Sequence, residues 1–274
     1  MNDLILQADA VTKDYVVSRS LLGNPGRVVH AVRGVSLSIA PGATLALVGE
    51  SGSGKSTLGR CIAGLVQPTS GNIRLAGHDV GHLSGASLMS FRRQVQTIFQ
   101  DPYSSLNPRR TVGDAIMDGM VIHKLYTPEE RRARMQALLL RVGLHSDHAK
   151  RFPHQFSGGQ RQRIAIARAL ALEPRFIVAD EAVSALDVSV KAQVLDLLAD
   201  LQAEKGLTYL FISHDLGVVR HIADRVAIMS AGQLVEEGEC DQIFDAPAHD
   251  YTRELIAAVP RPDPSRRRLR RAQG

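Results

Sequence analysis

The chain has 274 residues, 44% hydrophobic, 22% charged and 4% aromatic, with no Trp and two Cys, which excludes a disordered, collagen-like or disulfide-stapled protein. Its formal net charge of +5 comes entirely from six Arg and one Asp beyond Pro260, so the body of the chain is neutral, no nucleic-acid partner is expected, and residues 261–274 read as a solvated, disordered basic tail. No run approaches the roughly 18 apolar residues of a membrane span, Asp3 and Asp9 stand where a secretory leader would be basic then apolar, and Cys61 and Cys240 without a CxxC build no disulfide framework or four-Cys metal site; a soluble, cytoplasmic protein is expected.

The first 80 residues read as strands and turns. Val35 to Ile39 alternates, with Val35, Leu37 and Ile39 inward, and Pro41-Gly42 makes a turn. Ala43 to Val48 is nearly all apolar and ends in glycine, the pattern of a strand covered on both faces in a parallel sheet. Asn72 to Leu75 resumes the alternation before a turn at Ala76-Gly77. An antiparallel layer therefore meets an α/β core.

From Thr111 to Glu173 the pattern is helical. Thr127-Pro128-Glu129-Glu130 supplies an N-cap, a first-turn proline and a capping-box Glu, and Met135, Leu138, Leu139 and Val142 form a face that Gly143 ends. Arg175 to Ala179 and Leu207 to Ser213 are short β-rich runs. The helix between them carries Val194, Leu197, Leu198 and Leu201 at helical spacing and stops near Gly206. Strand, helix, strand predicts a right-handed parallel crossover. Arg225 to Glu237 reads as two alternating strands about Ala231-Gly232.

Gly49-Glu50-Ser51-Gly52-Ser53-Gly54-Lys55-Ser56-Thr57 satisfies G-x-x-x-x-G-K-[ST] between a buried strand and a helix at Leu58 to Leu65. Glycines let consecutive amides turn inward as an anion nest, to which the helix start adds its dipole. Lys55 suits the β- and γ-phosphates of a nucleotide, and the Ser56 hydroxyl suits Mg²⁺, which leaves kinases, GTPases, motors and repair ATPases all open. A second site follows the apolar strand Phe176 to Ala179, which ends in Asp180-Glu181. Two acids there are costly unless a cationic complex sits opposite; Asp180 suits Mg²⁺ and Glu181 the polarisation of attacking water. Phe156-Ser157-Gly158-Gly159-Gln160 opens a helix over Arg161 to Leu172, with Ser157 and Gln160 at capping-box spacing. That makes a second helix-start anion site in one chain.

Together these motifs resemble the ATP-binding cassette (ABC) transporter ATPases, over about residues 4 to 260. The resemblance implies an α/β P-loop NTPase with a RecA-like parallel-sheet core, an N-terminal antiparallel β subdomain and an α-helical subdomain of about 101–173 inserted in the core. It implies that Ser157, Gly158, Gly159 and Gln160 meet ATP held on the phosphate loop of a second cassette. Gln100, after the strand Val95 to Phe99, matches the family glutamine that reaches Mg²⁺ and water; His214 matches the switch histidine supporting Glu181. Ser184-Ala185-Leu186-Asp187 matches the loop crossing the dimer interface, and Tyr15 the residue stacking on adenine. Ala182 stands where the family usually has Pro, which bears on the rigidity of that loop.

Phe99-Gln100-Asp101-Pro102-Tyr103-Ser104-Ser105-Leu106-Asn107-Pro108-Arg109, and His249-Asp250-Tyr251-Thr252-Arg253-Glu254-Leu255 through Val259-Pro260, look like the oligopeptide, dipeptide and nickel importer branch. That implies an ATPase subunit pairing with an identical or different cassette on the cytoplasmic face of the inner membrane. Its further partners would be two transmembrane permease subunits fed by an extracytoplasmic solute-binding protein. The alternative is a chromosome-maintenance or repair ATPase, which would separate the two motif halves by long coiled coils. His145, His148 and His154 miss the usual metal spacing and read as solvated surface; Cys61 reads as a small buried residue.

Overall fold

The computed structural model describes residues 4–16, 28–101 and 105–258; Pro102, Tyr103 and Ser104 of the importer-like motif, Val259-Pro260 and the basic tail lie outside them. Two sheets form the body. The first is antiparallel, with order β2-β1-β4-β5 from β1 (Leu6–Val16), β2 (Val28–Ile39), β4 (Ser70–Leu75) and β5 (His78–Asp79). The second has order β10-β9-β3-β8-β7-β6, from β3 (Thr44–Val48), β6 (Val95–Ile98), β7 (Phe176–Asp180), β8 (Thr208–Ser213), β9 (Arg225–Ser230) and β10 (Gln233–Glu239). Its strands pair in parallel except at the β9–β10 edge.

The antiparallel layer follows the alternation read from the sequence: Val35, Leu37 and Ile39 are buried. Strands β3, β7 and β8 are buried at every position, as expected of parallel strands covered on both faces. Alternate residues serve two cores. Leu210 and Ile212 face the layer that holds α1 (Lys55–Ile62) and the antiparallel sheet. Tyr209 and Phe211 face the layer containing α5 (Gly158–Leu170) and α6 (Val188–Lys205). A third cluster packs Ala46, Val48, Val226 and Ile228 against α7 (Leu216–Ile222) and α8 (Cys240–Asp245).

The 111–173 stretch is helical: α3 (Val112–Ile122), α4 (Pro128–Arg141) and α5 pack about Ile116, Met120, Leu139, Val142 and Ile164. The capping box at Thr127 forms, with Thr127 N donating to Glu130 Oε2 at 2.7 Å and Glu130 N to Thr127 Oγ1 at 3.3 Å. Helix α6 ends at Lys205 with Gly206 (φ +62°) as its left-handed cap, as expected.

Two expectations need correction. The two strands about Ala231-Gly232 form as β9 and β10, but β9 does not alternate, because it lies inside the sheet beside β3 and buries Val226 to Met229 in succession. The helix after the phosphate loop stops at Ile62, not Leu65, as Gly64 turns left-handed (φ +65°). Helix α2 (Gly85–Gln94), just past the stretch of strands and turns, is not foreshadowed in the sequence. It buries only Phe91, so it lacks the apolar periodicity that would have revealed it.

Candidate functional site

Five loops leave the same edge of the large sheet, at the carboxyl ends of its parallel strands, where ligands of open α/β sheets bind. Strand β3 runs into the Gly49–Thr57 loop, β6 into Gln100, β7 into Glu181, β8 into His214 and β9 into Ala231-Gly232. Lys55, Ser56, Gln100, Glu181 and His214 line a cavity of about 670 Å³ there, with Ser51, Gly52, Gly54 and Thr57. Asp180 sits beside it, bonded to Ser56.

The phosphate loop is wedged between two strands. A Cβ at Gly49 would lie 2.0 Å from Met229 O, and one at Gly54, where φ is +101°, would lie 2.1 Å from Ala31 O. Only glycine fits either position. Gly232 N donates to Ser53 O at 3.0 Å and Arg33 N to Gly232 O at 2.8 Å, tying the loop to β2 through the β9–β10 turn. Lys55 is 4% exposed. Its Nζ donates to Gly49 O at 2.7 Å, Glu50 O at 2.6 Å and Ser53 Oγ at 3.2 Å. Burial lowers the Lys55 pKa, opposed by the carboxylates of Glu181, Asp180 and Glu50. A buried cation held only by neutral acceptors is primed to exchange them for anionic oxygens.

Opposite it, Ser56 Oγ donates to Asp180 Oδ1 at 2.8 Å. Burial raises the Asp180 pKa, with the Ser56 hydrogen bond pulling the other way. A buried carboxylate next to a hydroxyl is an all-oxygen donor set, the chemistry Mg²⁺ selects. Glu181 follows in a left-handed conformation (φ +49°), unusual for a residue with a side chain. Gln100 Nε2 donates to its Oε2 at 2.7 Å and His214 Nδ1 lies 3.1 Å from its Oε1. The carboxylate, 17% exposed, is thus aimed from both sides. The loop after it is held without a proline: Glu181 N donates to Ile212 O, and Ser184 N and Oγ both donate to Glu181 O. Ala182 is buried.

Ser157, Gly158, Gly159 and Gln160 are not among the residues lining this cavity. They open α5, where Gln160 N donates to Ser157 Oγ at 3.3 Å and Ser157 N to Gln160 Oε1 at 3.1 Å. A Cβ at Gly158 would meet nothing within 4 Å, whereas at Gly159 it would strike Val190. The serine and the first glycine therefore face outward, with first-turn amides that have no intrahelical acceptor. Tyr15 also lies off the cavity, 38% exposed, with Lys13 Nζ 5.1 Å from its ring centre. Its register partner Val29 does line the cavity.

The sequence reading missed Val29, His30, Ala31 and Arg33 on β2 and Ala231-Gly232, all of which line the cavity. The Ala231-Gly232 turn was visible; its place beside the phosphate loop was not, since it depends on β9 pairing with β3. Among the described residues no His, Cys, Asp and Glu cluster could hold a metal by itself. His148 stacks edge-on to His145 and Phe156, a packing role. Cys61 is fully buried, and burial pushes its pKa to about 11.

A family model described as ABC transporter matches residues 32–184, and one described as oligopeptide/dipeptide transporter, C-terminal region, matches residues 235–274. The chain is 54% identical over 267 residues to the glutathione import ATP-binding protein GsiA of Salmonella paratyphi A, across 97% of this chain and 43% of that protein. It is 52% identical over 263 residues to the protein of the same name from Pectobacterium atrosepticum, across 96% and 42%. The chain thus spans less than half the length of these curated relatives. Among solved structures, the dimeric bacterial ABC transporter cassette MJ0796 superposes with a TM-score of 0.77 at 31% identity, over 86% of this chain and 98% of that one. A dimeric post-hydrolysis state of the same cassette, bound to ADP and Pi, gives 0.76.

Proposed function

The chain belongs to the ABC transporter family, and from that premise we propose that it is the ATP-hydrolysing cassette of an importer in the oligopeptide and dipeptide branch. The solutes proposed are small peptides, glutathione among them, or a related solute such as nickel. The branch is supported by the match at 235–274 and by relatives named for glutathione import. The ATPase domain proposed is residues 1–260, with the helical subdomain at about 101–173. No helix among the described residues is long and apolar enough to cross a membrane. On the strength of the family and branch, the proposed partners are two permease subunits, with this chain peripheral on the cytoplasmic face, and indirectly a solute-binding protein.

One observation carries the mechanism: the two anion-binding helix starts are separate, with Lys55 inside the cavity and Ser157 to Gln160 outside it. ATP on one cassette is then sealed by Ser157 to Gln160 of another, identical or different. Lys55 exchanges Gly49 O, Glu50 O and Ser53 Oγ for β- and γ-phosphate oxygens. Gly52, Gly54 and the amides through Thr57 cradle the phosphates, and Tyr15 stacks on adenine. Ser56, Asp180 and Gln100 would hold Mg²⁺, which supplies neutralisation of phosphate charge. Glu181 takes the proton of the attacking water, its carboxylate oriented by Gln100 and His214. ATP favours the closed pair because only that state completes its contacts; hydrolysis removes the bridge.

The rival, a DNA-maintenance ATPase, fits less well, since among the described residues the longest helix between α1 and α5 is α4, with 14 residues, where that rival would carry long coiled coils. The test is ATPase activity of the purified chain with cognate permease subunits in proteoliposomes against duplex DNA. Stimulation by the permeases and none by DNA is expected; stimulation by DNA alone would overturn the transport reading.

A further inference from the structure

The motif His249 to Leu255 has no part in the mechanism above, yet it touches the phosphate loop. Helix α9 (Asp250–Ala257) starts on a clamp from β10: Glu236 Oε1 accepts Ala248 N at 2.7 Å and Oε2 accepts His249 N at 3.0 Å. Arg253 Nη1 donates to Pro247 O and Ala248 O, both at 2.9 Å, and Thr252 is fully buried. From this anchored turn Tyr251 packs its ring on the Ala46, Val48 and Leu216 cluster. Its hydroxyl accepts the amide of Glu50 at 3.2 Å, 201 residues upstream.

Glu50 N and Gly49 O belong to one planar peptide unit. Lys55 holds its oxygen at 2.7 Å and Tyr251 its nitrogen at 3.2 Å. The unit adjoins Gly49, whose φ of +153° and missing side chain leave rotation there unhindered by a Cβ of its own. When Lys55 turns to phosphate, the oxygen side is released. We propose that Tyr251 is a positioning residue of the nucleotide site, its hydroxyl keeping the 49–50 peptide oriented so that the loop stays open to phosphate once Lys55 lets go. The inference rests on the nucleotide reading of that loop. It also gives the importer-type C-terminal motif a task in the ATPase itself.

Tyr251→Phe removes the hydroxyl and keeps the ring in its apolar cluster. One hydrogen bond is worth about threefold to tenfold in an equilibrium, and it reaches affinity by lowering the fraction of loops competent to bind. In the full-length chain, MgATP affinity is expected to weaken about threefold to tenfold. KM should rise by the same factor while kcat stays within about twofold and the melting temperature is unchanged. Parental affinity and KM in Tyr251→Phe would overturn the inference, as would a fall in kcat at constant KM. A parent chain that binds no MgATP would instead remove the nucleotide reading itself, so the two failures are distinguishable.

Discussion

Lys55→Ala is expected to abolish measurable MgATP binding and, with it, hydrolysis. The ammonium is 4% exposed and held by two carbonyls and a hydroxyl. Those neutral acceptors are what it would trade for two phosphate groups. Charge-assisted hydrogen bonds contribute about 1.5–3 kcal/mol each, so losing two of them weakens affinity by about a hundredfold or more. Fluorescent-nucleotide titration of the folded variant checks this. Affinity within a few-fold of the parent would remove Lys55 from the site and leave the buried amine without a purpose.

Glu181→Gln should separate binding from turnover. The isosteric amide keeps the size of the side chain and can still meet Gln100 and His214, which stand at 2.7 and 3.1 Å, but it no longer accepts the proton of water. A positioned general base contributes about 10²- to 10⁴-fold. Steady-state hydrolysis is therefore expected to drop by about that factor, while MgATP affinity is retained or rises because the closed pair persists. Rapid turnover by this variant would assign the base elsewhere. His214→Ala distinguishes the two partners' parts, since it leaves the carboxylate and takes away one of its two supports.

Local chemistry was the legible part of this chain. Gly49 to Thr57 could be placed between a strand and a helix because glycine spacing, apolar flanks and Lys55 all report the same loop. The Thr127 capping box and the Gly206 stop are likewise contained in a few neighbouring residues. The acidic pair at 180 and 181 was readable from the buried run before it. What stayed hidden depends on strand order. β9 pairs with β3, which puts Ala231-Gly232 against Ser53, and β2 crosses above the loop, which brings Ala31 O within reach of Gly54. No periodicity encodes either neighbour. Helix α2 escaped for a different reason: with Phe91 alone buried, its sequence has no apolar face to read. The bond from Tyr251 to Glu50 joins residues 201 apart and could only come from the packed structure.

The central claim is that the nucleotide is clamped between two cassettes. Ser51 is exposed at the cavity rim and Ser157 is exposed at the outer helix start, while the native Cys61 and Cys240 are buried. In a Glu181→Gln background, Ser51→Cys and Ser157→Cys should therefore crosslink across subunits when MgATP is added, either in the chain alone or with a cassette that copurifies with it. The account predicts a covalent dimer that forms with MgATP and fades with ADP. Absence of any ATP-dependent intersubunit crosslink in every such pairing, with nucleotide demonstrably bound, would contradict it.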